Sequence, residues 1–132
     1  MTGLDTNVLV RYIAQDDPRQ SAQASALIEA LTPDAPGFVT SVALVESSWV
    51  MEDLYAADRE RLAEIVETLL QTDVLIVESA EQTWRALAGF RKGKADFADY
   101  LIARLGEARG CSQTFTFDKA AARDGGMTLV GS

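Results

Sequence analysis

The sequence predicts an α/β fold, a three-layer α/β/α sandwich with a central, mostly parallel sheet, and three observations carry that expectation. Short β-prone segments alternate with longer stretches of helical periodicity along the whole chain. The β-prone segments are apolar throughout rather than alternating, as in sheets covered on both faces. No repeat, low-complexity tract or long linker breaks the pattern, so the 132 residues are expected to form a single domain, 1–132, around one core.

The elements follow in order. A first short strand ends at Leu4 and Asp5, and Val8, Leu9, Tyr12 and Ile13 then recur at helical spacing. Asp17 and Pro18 supply an N-cap and a first-turn proline for a second helix running to about Leu31. Thr32 to Gly37 reads as a turn, Phe38 to Thr40 as a strand, and Ser41 as the cap of a helix carrying Val42, Val45, Trp49 and Val50. A fourth helix starts after Asp58. The run from Asp73 to Glu78 has the β-branched content of a buried strand, and Ser79 with Gln82 has the spacing of a capping box. A further helix spans about Asp96 to Arg109, closed by Gly110 as a C-cap. Gln113 to Phe117 and Thr128 to Val130 are the last strands.

Composition narrows the function classes. The chain has 12 basic and 20 acidic residues, a formal charge of −8, and no histidine. That balance opposes nucleic-acid binding through a broadly positive surface. It is relieved if acids converge on a bound cation, and a local basic rim at Arg85, Arg91, Lys92 and Lys94, with Arg104, Arg109, Lys119 and Arg123, reads equally as solvated surface charge. No apolar run approaches the roughly 18 residues of a membrane span, and the start MTGLDTN has no secretory pattern. With a lone Cys111 besides, a soluble, cytoplasmic protein is expected.

Open parallel sheets place ligands beyond the carboxyl ends of their strands. Asp5 and Asp118 each end a strand, while Glu46 and Asp99 stand among apolar helix neighbours: Val42, Ala43, Trp49 and Val50 for Glu46, and Ala95, Ile102 and Ala103 for Asp99. Asp96 sits one turn before Asp99, stacking two like charges on one face. Singly, each acid has a plain structural use. Asp5 and Asp96 could be N-caps, Asp118 a turn residue, and Glu46 the partner of Arg104 or Arg123. Together, in a chain without histidine, they form an all-oxygen donor set that selects hard cations, chiefly Mg²⁺ with Mn²⁺ as a substitute.

These residues also carry a resemblance. Leu4-Asp5-Thr6-Asn7-Val8-Leu9-Val10-Arg11 resembles the first motif of PIN domains, and Thr40-Ser41 through Leu44-Val45-Glu46 resembles their second. Asp96-Phe97-Ala98-Asp99-Tyr100-Leu101-Ile102-Ala103 is similar to the third motif as VapC toxins write it, and Thr114-Phe115-Thr116-Phe117-Asp118 to the fourth. Asp99 matches the widely shared acid of the third motif and Asp96 that of a subset, while Tyr100 replaces the commoner alanine.

The resemblance implies a metal-dependent endoribonuclease, the toxin of a type II VapBC pair, cutting RNA, with transfer RNA the expected substrate. The implied site is Asp5, Glu46, Asp99 and Asp118 as catalytic acids, joined by Asp96 in holding Mg²⁺. Thr6, Asn7, Ser41 and Thr116 stand beside them for hydrogen bonds to the acids or to phosphate, although Thr6 and Asn7 serve equally to satisfy a first helical turn. The resemblance further implies a VapB-like antitoxin whose C-terminal segment enters the acidic crevice. A homodimer is expected through residues such as Leu54, Tyr55, Leu62 and Ile65. Two other classes compete: an acidic module that binds a basic partner without chemistry, and an aspartate-based phosphoryl-transfer enzyme. The latter would place an acid where Asn7 stands and gives Glu46 no role.

Overall fold

The computed structural model describes residues 1–131. They fall into two compact units, the first Met1–Glu78 and the second from Ser79 onward. The first unit contains β1 (Thr2–Gly3), α1 (Thr6–Ala14), α2 (Pro18–Glu29), β2 (Gly37–Val39), α3 (Ser41–Tyr55), α4 (Arg59–Gln71) and β3 (Leu75–Val77). The second contains α5 (Ala80–Lys92), α6 (Phe97–Ala108), β4 (Phe115–Thr116), α7 (Lys119–Asp124) and β5 (Thr128–Leu129). Every pairing among these strands is parallel, in the order β1-β2-β3 in one sheet and β4-β5 in the other. The predicted α/β class with a parallel sheet is therefore what the chain forms. Among the described residues no helix is long and apolar enough to cross a membrane.

In the first unit, local sequence chemistry sets the helix starts. Asp17 accepts from Gln20 N at 2.8 Å and Asp58 from Arg61 N at 2.8 Å, each satisfying a backbone donor that a helix leaves unpaired. The cap of α3 is Thr40, not Ser41: its hydroxyl accepts from Ala43 N at 3.0 Å. Register places Gly3 beside Phe38 and Val39 beside Val77. Continuing it, Asp5, Thr40 and Glu78 come in one row at the carboxyl ends of β1, β2 and β3. At the other end of α1, Tyr55 donates to Asp16 at 2.6 Å and Arg11 reaches both. The Tyr55 hydroxyl holds the Asp16 carboxyl below its ordinary value, and the same bond raises Tyr55. Leu62 and Ile65 are buried in the core. Their expected place on an exposed dimer face is thereby corrected, because the apolar stripe of α4 is turned inward.

The second unit departs from expectation at its start. Ser79 stands at the N-cap position of α5 in a left-handed conformation, φ 51°, and its side chain makes no capping hydrogen bond. The short helix α7 is an addition to the expected elements. Asp118 starts it, accepting from Ala121 N at 2.9 Å. Between α5 and α6 the packing centres on Tyr100, 3% exposed. Its ring meets Phe90 edge-on with centroids 6.3 Å apart, and Phe90 in turn meets Phe97 at 5.9 Å. The Tyr100 hydroxyl accepts from Ala95 N at 3.3 Å, tying the loop before α6 to its first turn. Room for the ring comes from Gly89, inside α5, and Gly93, just past its end. A Cβ on Gly89 would lie 2.7 Å from Tyr100 Cδ1, and one on Gly93 would overlap the hydroxyl.

This packing makes a prediction opposite to helix propensity. Glycine to alanine inside an exposed helix ordinarily stabilises by roughly 1 kcal/mol, whereas Gly89→Ala should destabilise by about 1–3 kcal/mol, because Tyr100 must leave its rotamer. Urea denaturation of Gly89→Ala, Tyr100→Leu and the double variant checks it. The alanine should cost far less when combined with Tyr100→Leu, and a Gly89→Ala variant more stable than wild type contradicts the packing role.

Candidate metal and catalytic site

In the first unit the chain brings Asp5, Thr6 and Glu46 together. Asp5 ends the β1 segment and caps α1, one carboxylate oxygen accepting from Thr6 N at 2.8 Å. The Thr6 hydroxyl donates to Glu46 Oε1 at 2.8 Å. One residue thus contacts both acids, the first through its backbone and the second through its side chain. The helix-cap use of Asp5 and its use beside Glu46 are compatible, since a carboxylate has a second oxygen free of the cap.

Glu46 stands differently from expectation. Its neighbours Val42 and Trp49 are 69% and 46% exposed, so its face of α3 is open to solvent and not the core stripe. The buried face is Ala43, Leu44, Ser47, Ser48 and Met51. Ala43, Ser47 and Ser48 let the helix pack closely beside Leu44 and Met51, whereas Val42 and Trp49 of the sequence pattern face outward. Arg104 and Arg123, considered as partners for Glu46, are engaged by Glu107 at 3.1 Å and Asp124 at 3.6 Å.

Asn7 is exposed and lines a cleft of about 260 Å³ with Val8, Arg11, Gln20 and Leu27. Ser41 presents its backbone N–H to Glu78 Oε1 at 2.8 Å. Glu78 is missing from the acids expected from sequence, although the same rule that finds Asp5 applies to it. It directly follows a parallel strand, and its carboxylate meets the positive end of the α3 dipole.

In the second unit Asp99 stands within the influence of Asp96 and Asp118. Asp96 caps α6 and Asp99 is its third residue, so the pair forms a reciprocal capping box, with Asp96 N donating to Asp99 Oδ2 at 3.3 Å. Asp99 is half-buried, and burial raises its carboxyl above the ordinary aspartate value. The charges of Asp96 and Asp118 push the same way, against the backbone hydrogen bond from Asp96. Thr116 accepts from Asp118 N at 3.0 Å, setting the turn that follows β4.

Among the described residues no group of three acids stands close enough to enclose a metal by itself. Magnesium does not require such a cage, since it keeps several waters and is commonly bound through one or two carboxylates. The oxygen-only donors suit that ion.

Comparison with known proteins identifies the family. The PIN domain family model matches residues 4–125. The chain is similar to the VapC ribonuclease of Aquifex aeolicus (strain VF5), 23% identical over 126 residues, which cover 96% of this chain and 93% of the relative. No solved structure matches it significantly. With nearly its whole length matched by the family model, and acids standing at the positions just described, the chain belongs to the PIN domain family.

Proposed function

We propose that the chain acts as one PIN domain over residues 1–132, an Mg²⁺-dependent endoribonuclease that serves as the toxin of a toxin–antitoxin pair. One observation carries the reading. Asp99 is kept half-buried within the fields of Asp96 and Asp118, at a cost in stability that a cation bound there removes. The similarity to a VapC ribonuclease supports RNA as substrate, and the resemblance of the motifs to VapC toxins supports transfer RNA.

The proposed ligands, direct or through water, are Asp5, Glu46, Asp96, Asp99 and Asp118. When bound, Mg²⁺ or Mn²⁺ would lower the pKa of a water and neutralise charge on the phosphodiester. The chain's own residues do the rest. Thr6 fixes the rotamer of Glu46 through its hydroxyl, and Thr116 and the first turn of α7 hold Asp118 between two backbone contacts. Asp96 keeps Asp99 facing the start of α6. An antitoxin segment carrying an arginine would be attracted to the same acids. Copies of the chain would associate through apolar side chains that are exposed, Leu54 among them at 76%.

Metal linkage is the first consequence. If Mg²⁺ binds only the folded chain, the transition temperature rises with its concentration, by about 2.7 kcal/mol of stability at a hundred times the dissociation constant. A melt indifferent to millimolar Mg²⁺ and Mn²⁺ removes the site.

Asp99→Asn should stabilise the metal-free protein by a few tenths of a kcal/mol at neutral pH, the scale of a like-charged pair one turn apart. The sign follows from the raised carboxyl: the folded state binds the proton more tightly than the unfolded one. The ionised cost is therefore complete at neutral pH and disappears as pH falls through the folded value to below the unfolded one. Melts of both proteins across that range should converge in acid. An advantage for the variant that persists there contradicts the cause assigned to it.

Activity tests the reading itself. RNA cleavage should need Mg²⁺, stop with EDTA, and be lost in folded Asp5→Asn, Glu46→Gln and Asp99→Asn. Asp96→Asn and Asp118→Asn should lose less, about 10- to 100-fold, the usual effect of residues that act on a metal through other groups. Wild-type cleavage by a folded Asp99→Asn protein rejects the third motif as part of the site, and the same result at Asp5 rejects the mechanism. Co-purification with the product of the neighbouring gene checks the antitoxin.

A further inference from the structure

The two-stranded sheet β4-β5 is turned the unexpected way. Phe115 and Phe117 are 59% and 83% exposed, while Thr114 and Thr116 beside them are half-buried. Phe115 lies in β4 and Phe117 in the turn just after it, so two exposed rings flank the half-buried Thr116. Register pairs Phe115 with Thr128 and Thr116 with Leu129, which carries Val130, also exposed, alongside Phe117. Thr128 N and Val130 N, bonded to Thr114 O and Thr116 O at 2.8 Å each, hold this register. On the inner side Met127 is buried with Ala103 and Ala121. A slip of one residue would turn Phe115 inward. The chain instead leaves two aromatic rings in water, an arrangement that folding alone disfavours.

The surroundings say what the rings suit. Phe117 immediately precedes Asp118, and Lys119 and Arg123 follow one turn apart on α7, both exposed, Arg123 also pairing with Asp124 at 3.6 Å. Aromatic faces beside cations form the usual platform for single-stranded nucleic acid, on which unpaired bases stack whatever their identity. A chain of charge −8 gains little from general phosphate attraction, so stacking must supply more of the affinity.

We infer that Phe115 and Phe117 form a stacking platform for unpaired bases of the RNA. This rests on the ribonuclease reading above. A base stacked on Phe117 leaves its own backbone next to Asp118, which joins recognition to the site of cutting.

The test uses an RNA hairpin bearing 2-aminopurine either in its loop or in its stem, with the full chain and EDTA so that binding is read without cleavage. Wild type should quench the loop probe and not the stem probe. Phe115→Ala/Phe117→Ala should lose that quenching and bind the hairpin roughly 5- to 100-fold more weakly, the range for removing aromatic stacking partners. Phe117→Trp, in place of alanine, should restore both effects and Phe117→Leu neither, although leucine retains apolar surface. Melts of each variant confirm folding.

Unchanged quenching in the double alanine variant overturns the platform, as does equal rescue by leucine and tryptophan. A change of oligomeric state by light scattering, with quenching intact, also overturns it and assigns the face to a second copy of the chain. Binding and cleavage fail separately. Quenching by a wild type that cuts nothing in Mg²⁺ rejects the nuclease and keeps the platform, and cleavage by wild type without loop quenching does the reverse.

Discussion

Asp96 at the N-cap of α6 and Asp99 at its third residue answer one another in a capping box, and the closeness this requires also sets their charges against each other. The start of α6 offers some compensation, since its unpaired N–H groups and dipole favour negative charge. Asp99 nevertheless remains harder to ionise than an ordinary aspartate, first because it is half-buried and then because Asp96 and Asp118 surround it with like charge. The chain invests rigid packing in this arrangement. Tyr100, the residue after Asp99, is set into the space that Gly89 and Gly93 leave and is bonded to Ala95 N, so the turn bearing the acids has little freedom to spread. Under the proposed metal-dependent function, acids held near one another and kept from relaxing would gain from a bound cation.

The first unit reaches a similar end by a different route. Its parallel strands run out together into polar residues, Asp5, Thr40 and Glu78, each of which caps the helix that follows or a neighbouring one. Capping uses one face of each side chain and fixes its direction. Thr6 then extends the order to Glu46, in the second turn of α3, through a bond that spans 40 positions of sequence. Glu46 needs such support because its surroundings on the helix are open to solvent, where an unsupported glutamate would sample several rotamers.

Much of this is legible in the sequence where one residue decides one local feature. Asp17 with Pro18, and Asp58, announce their helices because capping is a short-range interaction. The strand–helix alternation announces the parallel pairing. Of the proposed site acids, Asp5 and Asp118 follow strands as the sequence pattern suggests, whereas Glu46 stands out in the sequence by apolar helix neighbours of which the fold leaves Val42 and Trp49 exposed. The inward face of α3 is hidden because Ala43, Ser47 and Ser48 pack closely without standing out as apolar. Ser79 has the composition of a cap but a left-handed backbone, and only the fold decides between them. Helix α7, six residues long, is too short for periodicity to reveal. Glu78 ends a strand as Asp5 does, but its bond to Ser41, 37 residues away, is formed only in the fold.

The central chemical question is whether water held by a carboxylate-bound metal attacks the phosphodiester, leaving the ribose hydroxyl a spectator. Sequencing the ends left when the purified chain meets total RNA with Mg²⁺ measures this most directly, together with a substrate carrying a 2′-deoxyribose at the mapped cut. Metal-held water predicts 5′-phosphate and 3′-hydroxyl ends, and continued cutting of the deoxy-substituted site. Cyclic 2′,3′-phosphate ends that persist in EDTA, with the deoxy substrate left intact, would contradict it.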